Sequence, residues 1–131
     1  MKAHHHQVRV YYEDTDMAGI VYYANYLKFI ERGRSEWVRS IGIDQARLKK
    51  EGMFFAVRKV DADFLRPAVY DDVLTVETVV ESQTGARLNL IQRVLREGEE
   101  IFTAKVMIVS LSVDGYPVAL PADIRQLLTE N

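Results

Sequence analysis

Residues 24–41, ANYLKFIERGRSEWVRSI, form the longest helical pattern in the chain. Its bulky apolar residues and one glycine recur at spacings of three and four, which places them on one face of an α-helix. These residues are Tyr26, Ile30, Gly33, Trp37 and Ile41. A mid-helix glycine costs about 1 kcal/mol relative to alanine, so Gly33 predicts that another backbone approaches closely there. The pattern predicts an amphipathic helix over 24–41, ended by Gly42.

Segments typical of β-strands lie on both sides of this helix. Residues 7–14 are rich in Val and Tyr and predict a strand that runs into a loop. Four further strands, separated by turns, are predicted at residues 54–65, 73–81, 87–95 and 101–111, and short helices at 44–50 and after Pro121. One long helix followed by consecutive strands predicts an α+β fold in which an antiparallel sheet covers the helix.

The composition points to an ordinary globular protein. With 131 residues, a single domain spanning 1–131 is expected. No segment approaches the ~20 apolar residues of a membrane span, the N-terminus lacks an apolar signal segment, and the chain has no cysteine. These features predict a cytoplasmic protein that uses neither thiolate catalysis nor a thiolate metal site. A net charge of −2 argues against nucleic acid as a partner.

The three histidines are consecutive at residues 4–6, in a polar N-terminal stretch. Residues 1–6 are therefore predicted to form a poorly ordered tail, and a metal site made by the three histidines is not expected. The rest of the chain offers neither histidine nor cysteine. Any catalysis must therefore come from carboxylates, hydroxyls, lysines or backbone dipoles.

The segment that joins the first strand to the long helix is dense in reactive groups. It reads YEDTDMAGIVYYANY over residues 12–26 and contains three carboxylates, those of Glu13, Asp14 and Asp16. Free amides at a helix start carry partial positive charge, so this arrangement can place a carboxylate beside an oxyanion site. Acidic residues also favour helix starts simply as caps. The residues alone leave both readings open and do not choose among the three carboxylates.

Residues 16–26, DMAGIVYYANY, resemble the signature of the 4-hydroxybenzoyl-CoA thioesterase family, which includes the Tol-Pal-associated acyl-CoA thioesterases. Further segments similar to the family in order and spacing are VRVYYEDTD (8–16), VRK (57–59), YDDVL (70–74) and LPAD (120–123). The resemblance implies the hotdog fold, an antiparallel sheet wrapped around one long central helix. It also implies that Asp16 is the catalytic carboxylate and that the backbone amide of Tyr23 polarises the substrate carbonyl.

The implied activity is that of an acyl-CoA thioesterase, which releases a free acid and coenzyme A with Asp16 as nucleophile or general base. No metal and no cofactor are expected beyond the coenzyme A of the substrate. Gly19, Tyr22 and Tyr26 are predicted to contact the substrate. Arg58 and Lys59 are predicted to meet the phosphates of coenzyme A, since phosphates favour cationic donors.

The acyl group stays open between short aliphatic, hydroxybenzoyl and an acyl group on a carrier protein. Many Tol-Pal-type members carry histidine at the position of Tyr23, whereas the hydroxybenzoyl-CoA type is similar to this chain in having tyrosine. Subunits of the family pair edge to edge, so a homo-oligomer, either dimer or tetramer, is expected. Two alternatives are a hydratase or dehydratase of acyl thioesters, which lacks its usual histidine here, and a non-catalytic binding module.

Overall fold

The structure is a computed structural model and describes residues 2–130. Its elements are β1 (His4–Arg9), α1 (Asn25–Ser40), α2 (Gln45–Lys50), β2 (Met53–Phe64), β3 (Val73–Thr84), β4 (Arg87–Arg96), β5 (Glu99–Ser112) and α3 (Ala122–Glu130), with a 3-10 turn at Tyr12–Asp14. The five strands form one antiparallel sheet in the order β1-β3-β4-β5-β2. The helix–strand order matches the α+β fold expected from the sequence.

The core lies between α1 and the concave face of the sheet. The apolar face of α1 buries Tyr26, Phe29, Ile30 and Trp37, and the helix packs across β1, β3 and β4. Alternate residues of β3 and β4 are buried beneath it, as expected for a sheet with one face on the core. This packing confirms the long helix covered by an antiparallel sheet.

Gly33 lies where α1 packs directly against β3. A Cβ built at Gly33 would collide with the side chain of Val76, so the close approach expected from the glycine is real. The neighbour is a side chain of the sheet, however, and not another backbone. Gln92 reinforces the same contact, because its amide donates to the Ile30 carbonyl of the helix over 2.9 Å.

The prediction of a poorly ordered tail at residues 1–6 is wrong for residues 4–6, and Met1 lies outside the described residues. His4 and His6 pair with Thr78 and Val76 of β3, so β1 begins three residues earlier than predicted. Strand pairing uses backbone groups, which histidine supplies as well as valine does. The predicted strand over 7–14 also ends sooner, at Arg9, where the chain turns toward the 3-10 turn.

β2 forms one edge of the sheet. It pairs with β5 on one side, and within residues 2–130 no strand covers its other side. Several of its apolar side chains are exposed: Phe54, Val57, Val60 and Phe64. An uncovered strand edge with apolar side chains is a surface that proteins usually cover by pairing. None of the helices within residues 2–130 has the length and apolar character needed to cross a membrane.

Candidate active site

The candidate catalytic carboxylate, Asp16, stands at the base of a tight hairpin formed by residues 15–21, called here the Asp16 hairpin. The Asp16 N–H donates to the Ile20 carbonyl over 3.0 Å, and the Gly19 N–H donates to the Asp16 carbonyl over 2.9 Å. Gly19 has a φ of +81°, which suits the third position of a three-residue hairpin loop and favours glycine. The sequence therefore holds Asp16 in a defined turn at the surface.

The Asp16 side chain uses only one of its two oxygens within the chain. Its Oδ1 accepts from the Ala18 N–H over 2.9 Å, which orients the carboxylate. Within residues 2–130 the other oxygen, Oδ2, accepts no hydrogen bond, and the residue is exposed. Asp16 can thus offer one oriented carboxylate oxygen to water or to a substrate.

The neighbouring carboxylates are arranged differently. Asp14 is half-buried, and its Oδ2 accepts from the Tyr11 N–H over 2.8 Å, which closes the 3-10 turn. Glu13 is exposed on that turn. Asp14 therefore has a local structural task, and the sequence could not separate it from Asp16 without the family resemblance.

The start of α1 lies just beyond the Asp16 hairpin and carries free amides. Within residues 2–130 the N–H groups of Tyr23 and Ala24 have no hydrogen-bond acceptor, and no side chain caps the helix. The Asn25 side chain does not cap the helix and donates to the Asp14 carbonyl over 2.9 Å. The uncapped helix start leaves two amides available to a developing negative charge.

The predicted substrate-contacting aromatics divide into two groups. The rings of Tyr22 and Tyr23 are exposed, with their centroids 5.0 Å apart, and Tyr23 meets the edge of Phe64 from β2. Tyr26 is buried and stacks on Phe102, with ring centroids 5.0 Å apart. Gly19, in the Asp16 hairpin, and Tyr22 therefore lie at the surface, whereas Tyr26 is part of the core.

Tyr26 has a specific packing role that its place in the motif does not reveal. Its hydroxyl accepts a hydrogen bond from the Ala68 N–H over 3.2 Å, and burial raises the pKa of this hydroxyl. The prediction that Tyr26 contacts substrate has no support from this position, because neighbouring rings cover it. Its period along α1 already indicated a core residue.

Arg58 and Lys59 are not brought next to Asp16 within one chain. Both are exposed in the middle of β2, where the pairing with β5 shifts register between Val57 and Lys59. Phe64, which contacts Tyr23, lies five residues after Lys59 in β2. At the rise per residue of a β-strand, this separates Lys59 from Phe64 by roughly 16 Å. A role for Arg58 and Lys59 therefore requires an extended ligand or a second copy of the chain.

The sequence did not indicate a role for the loop over residues 67–72, which packs against the Asp16 hairpin. The Val21 N–H donates to the Ala68 carbonyl over 2.8 Å, and Ile20 forms a bridge to Val69. The YDDVL segment lies at the end of this loop, but its resemblance to the family carried no assigned role. Only the fold brings these residues beside the Asp16 hairpin.

Comparison with known proteins places this geometry in a family. Residues 10–128 match the family model described as "Thioesterase-like superfamily". The acyl-CoA thioester hydrolase YbgC of Escherichia coli O6:H1 is 40% identical over 119 residues, which cover 89% of each chain. The chain belongs to the thioesterase-like superfamily. The family resemblance and the thioester hydrolase class expected from the sequence are thus confirmed.

Solved structures of the superfamily confirm the hotdog fold. A probable thioesterase from Bartonella henselae is 42% identical, covers 91% of this chain and 98% of its own, and superposes with a TM-score of 0.81. An aspartate-to-asparagine mutant of 4-hydroxybenzoyl-CoA thioesterase, complexed with 4-hydroxybenzoyl-CoA, is 25% identical with a TM-score of 0.90, covering 98% of this chain and 99% of its own. The whole sheet and helix α1 therefore belong to a thioesterase scaffold.

Proposed function

We propose that this chain hydrolyses a small acyl- or aroyl-CoA thioester to the free acid and coenzyme A. Asp16 supplies the carboxylate as nucleophile or general base, and the backbone amide of Tyr23 stabilises the oxyanion. The observation that carries the proposal is that residues 16–24 hold both an Asp16 oxygen and two amides that have no hydrogen-bond partner within residues 2–130. Acyl transfer needs this combination of a base and an oxyanion donor.

The general-base route assigns one task to each group. Asp16 takes a proton from water while the water oxygen bonds to the thioester carbon, and the carbonyl oxygen becomes an oxyanion that accepts from the Tyr23 N–H. When the carbonyl re-forms, the carbon–sulfur bond breaks and the thiolate of coenzyme A leaves. The thiolate then takes the proton, so the products are a carboxylic acid and a thiol.

The nucleophilic route uses the same residues in another order. The Asp16 carboxylate attacks the thioester carbon and expels the thiolate, which leaves a mixed anhydride on Asp16. Water then hydrolyses the anhydride and regenerates the carboxylate. Both routes need the negative charge of Asp16, so they make the same prediction for its replacement.

The acyl group is proposed from the relatives and from the surface around Asp16. The similar proteins are named for acyl-CoA and for 4-hydroxybenzoyl-CoA, and both Tyr22 and Tyr23 present exposed rings beside the site. Aromatic rings pack well against an aryl or short alkyl group. The substrate is therefore proposed to be small, carried on coenzyme A or on an acyl carrier protein.

A homo-oligomer in the cytoplasm is proposed as the working form. The uncovered edge of β2, with exposed Phe54, Val57, Val60 and Phe64, favours pairing with a second copy. Light scattering at working concentration should give at least twice the 15.1 kDa of one chain. A mass of one chain would contradict the proposed pairing.

Thiol release over a panel of thioesters tests the proposed function. The panel should contain short aliphatic and aromatic acyl-CoAs, acyl carrier protein thioesters, and one enoyl-CoA whose hydration is followed separately. Hydrolysis of at least one saturated or aromatic thioester is expected, without hydration of the enoyl-CoA. Hydration without hydrolysis, or binding of thioesters without turnover, would contradict the proposal.

A further inference from the structure

One buried residue, Ala68, connects the two halves of the proposed site through its backbone. Its carbonyl accepts from the Val21 N–H over 2.8 Å, at the end of the Asp16 hairpin. Its N–H donates to the Tyr26 hydroxyl over 3.2 Å, in the first turn of the helix that presents the Tyr23 amide. Ala68 has no exposed surface. The backbone of Ala68 is thus hydrogen-bonded both to the Asp16 hairpin and to the first turn of α1.

A single ion pair holds the peptide units on both sides of Ala68. Arg96 Nη1 donates to the Pro67 carbonyl over 2.8 Å. Asp72 Oδ2 accepts from the Val69 N–H over 2.9 Å. The two side chains meet each other, with 3.1 Å between Arg96 Nη1 and Asp72 Oδ2. The pair is therefore hydrogen-bonded to the residues immediately before and immediately after Ala68.

Both members of the pair are attached to the sheet. Arg96 is the last residue of β4, and its guanidinium also lies 3.7 Å from Glu99 of β5. Asp72 precedes β3, and its carbonyl accepts from the Val10 N–H over 2.9 Å. The Arg96 and Asp72 side chains are only 28% and 21% exposed, so salt screens their attraction less than that of a surface pair. The loop is thus tied to the rigid part of the fold.

We propose that Arg96 and Asp72 are positioning residues for the reaction. They fix the loop at Ala68, and Ala68 sets the spacing between the Asp16 carboxylate and the Tyr23 amide. The inference rests on the proposed function, since it assigns these residues a task in the same site. A misplacement of about 1 Å in a reactive group can cost roughly 10²-fold in rate, so a loose Ala68 reduces turnover more than substrate binding.

The kinetic test uses Arg96→Met and Asp72→Asn, with Arg93→Met as the matched control. Arg93 lies on the same strand and makes ion pairs with Glu77 and Glu100, away from the loop over 67–72. Arg96→Met and Asp72→Asn are each expected to lower kcat by about tenfold or more, with KM changed less than about threefold. Arg96→Lys keeps the charge and should recover part of the lost kcat.

Amide hydrogen exchange supplies a readout that does not depend on activity. In Arg96→Met the N–H groups of Val21 and Val69 are expected to exchange faster than in the wild type. Amides in the middle of β3 should keep their rates, which shows that the sheet is intact. In Arg93→Met the exchange rates of the Val21 and Val69 N–H groups should equal those of the wild type.

The outcomes separate this proposal from the proposed function. Unchanged kcat in Arg96→Met and Asp72→Asn, or an equal loss in Arg93→Met, would overturn the positioning role while leaving the thioesterase intact. If the wild type hydrolyses no thioester, the proposed function fails, and the exchange rate of Val21 alone decides whether the ion pair holds the hairpin. If Arg96→Met does not fold, the milder Asp72→Asn carries both measurements.

Discussion

The N–H of Ala18 donates to Oδ1 of Asp16 over 2.9 Å, and this one contact orients the carboxylate while leaving Oδ2 without a partner inside residues 2–130. The bond depends on the hairpin turn, since Ala18 lies two residues after Asp16 within the loop. Asp14 lies only two residues earlier, and its Oδ2 accepts a hydrogen bond from the Tyr11 N–H. Two similar carboxylates thus differ in availability because the backbone folds differently around each.

Replacing the hairpin glycine should strain the turn without any steric collision. Gly19 has a φ of +81°, and apart from its two chain neighbours no residue within 2–130 has an atom within 4 Å of a Cβ built there. Gly19→Ala is expected to cost about 1–2 kcal/mol through the left-handed conformation and to lower kcat by disturbing Asp16. Urea unfolding and thiol release measure the two effects. Full stability together with full activity would show that the turn tolerates a side chain.

Removing the Tyr26 hydroxyl should destabilise the protein, because the buried Ala68 N–H would lose its acceptor. Tyr26→Phe is expected to lower the free energy of unfolding by about 1–3 kcal/mol, the cost of an unsatisfied buried donor. Tyr116→Phe is the control, since Tyr116 is 71% exposed. Equal unfolding free energies of Tyr26→Phe and wild type would contradict the role of this hydrogen bond.

Acid should weaken the ion-pair network on the outer face of the sheet. Burial alone would raise the pKa of Glu77, but hydrogen bonds from Arg93 and His5 outweigh it and hold the pKa below the ordinary 4.5. A carboxyl whose pKa is lowered on folding stabilises the protein above its unfolded pKa, and this stabilisation is lost as pH falls through the folded pKa. The stability difference between wild type and Glu77→Gln should therefore shrink below pH 4.5. A difference that stays constant from neutral to acid pH would refute the prediction.

The cations of β2 should affect only substrates that carry phosphates. Replacing Arg58 and Lys59 by alanine is expected to raise KM for acyl-CoA by up to about fivefold per lost charge, as for exposed ion pairs, with kcat unchanged. The matched substrate is the corresponding N-acetylcysteamine thioester, which has no phosphate and should keep its KM. An equal change for both substrates would exclude phosphate binding by these side chains.

The helix and the central strands could be predicted from the sequence because their signals are local. The pattern over 24–41 became α1 (Asn25–Ser40), and the strand predicted from residue 87 became β4 (Arg87–Arg96). The order of the strands in the sheet could not be predicted from local patterns. β1 pairs with β3, and the paired residues are about 70 positions apart in the chain. Residues 4–6 joined β1 for the same reason: the partner strand, not their own composition, makes them a strand.

The site was predictable only where its residues are neighbours in sequence. Asp16, Gly19 and Tyr23 share one segment, and a family resemblance singled out Asp16 from residues that local chemistry left equivalent. Arg96 and Asp72 meet the loop over 67–72 through contacts between distant parts of the chain. Asp72 lies in the YDDVL segment, which carried no assigned role, and Arg96 lies in none of the segments similar to the family. For Tyr26 the two signals point in different directions, because its place in the motif predicts substrate contact while its position on α1 buries it.

The negative charge of Asp16 is expected to drive thioester hydrolysis, and replacing it by a neutral side chain of the same shape tests this. Asp16→Asn preserves the side-chain shape and an oxygen that can accept from the Ala18 N–H, so the hairpin should persist. Glu13→Gln removes an exposed carboxylate three residues away and serves as the matched control.

Thiol release from the best substrate of the panel, measured side by side on these proteins, is the most direct test. Asp16→Asn is predicted to lower kcat by at least about 10²-fold, and Glu13→Gln to stay near the wild type. Turnover by Asp16→Asn within a few-fold of the wild type would contradict a catalytic role for the Asp16 carboxylate.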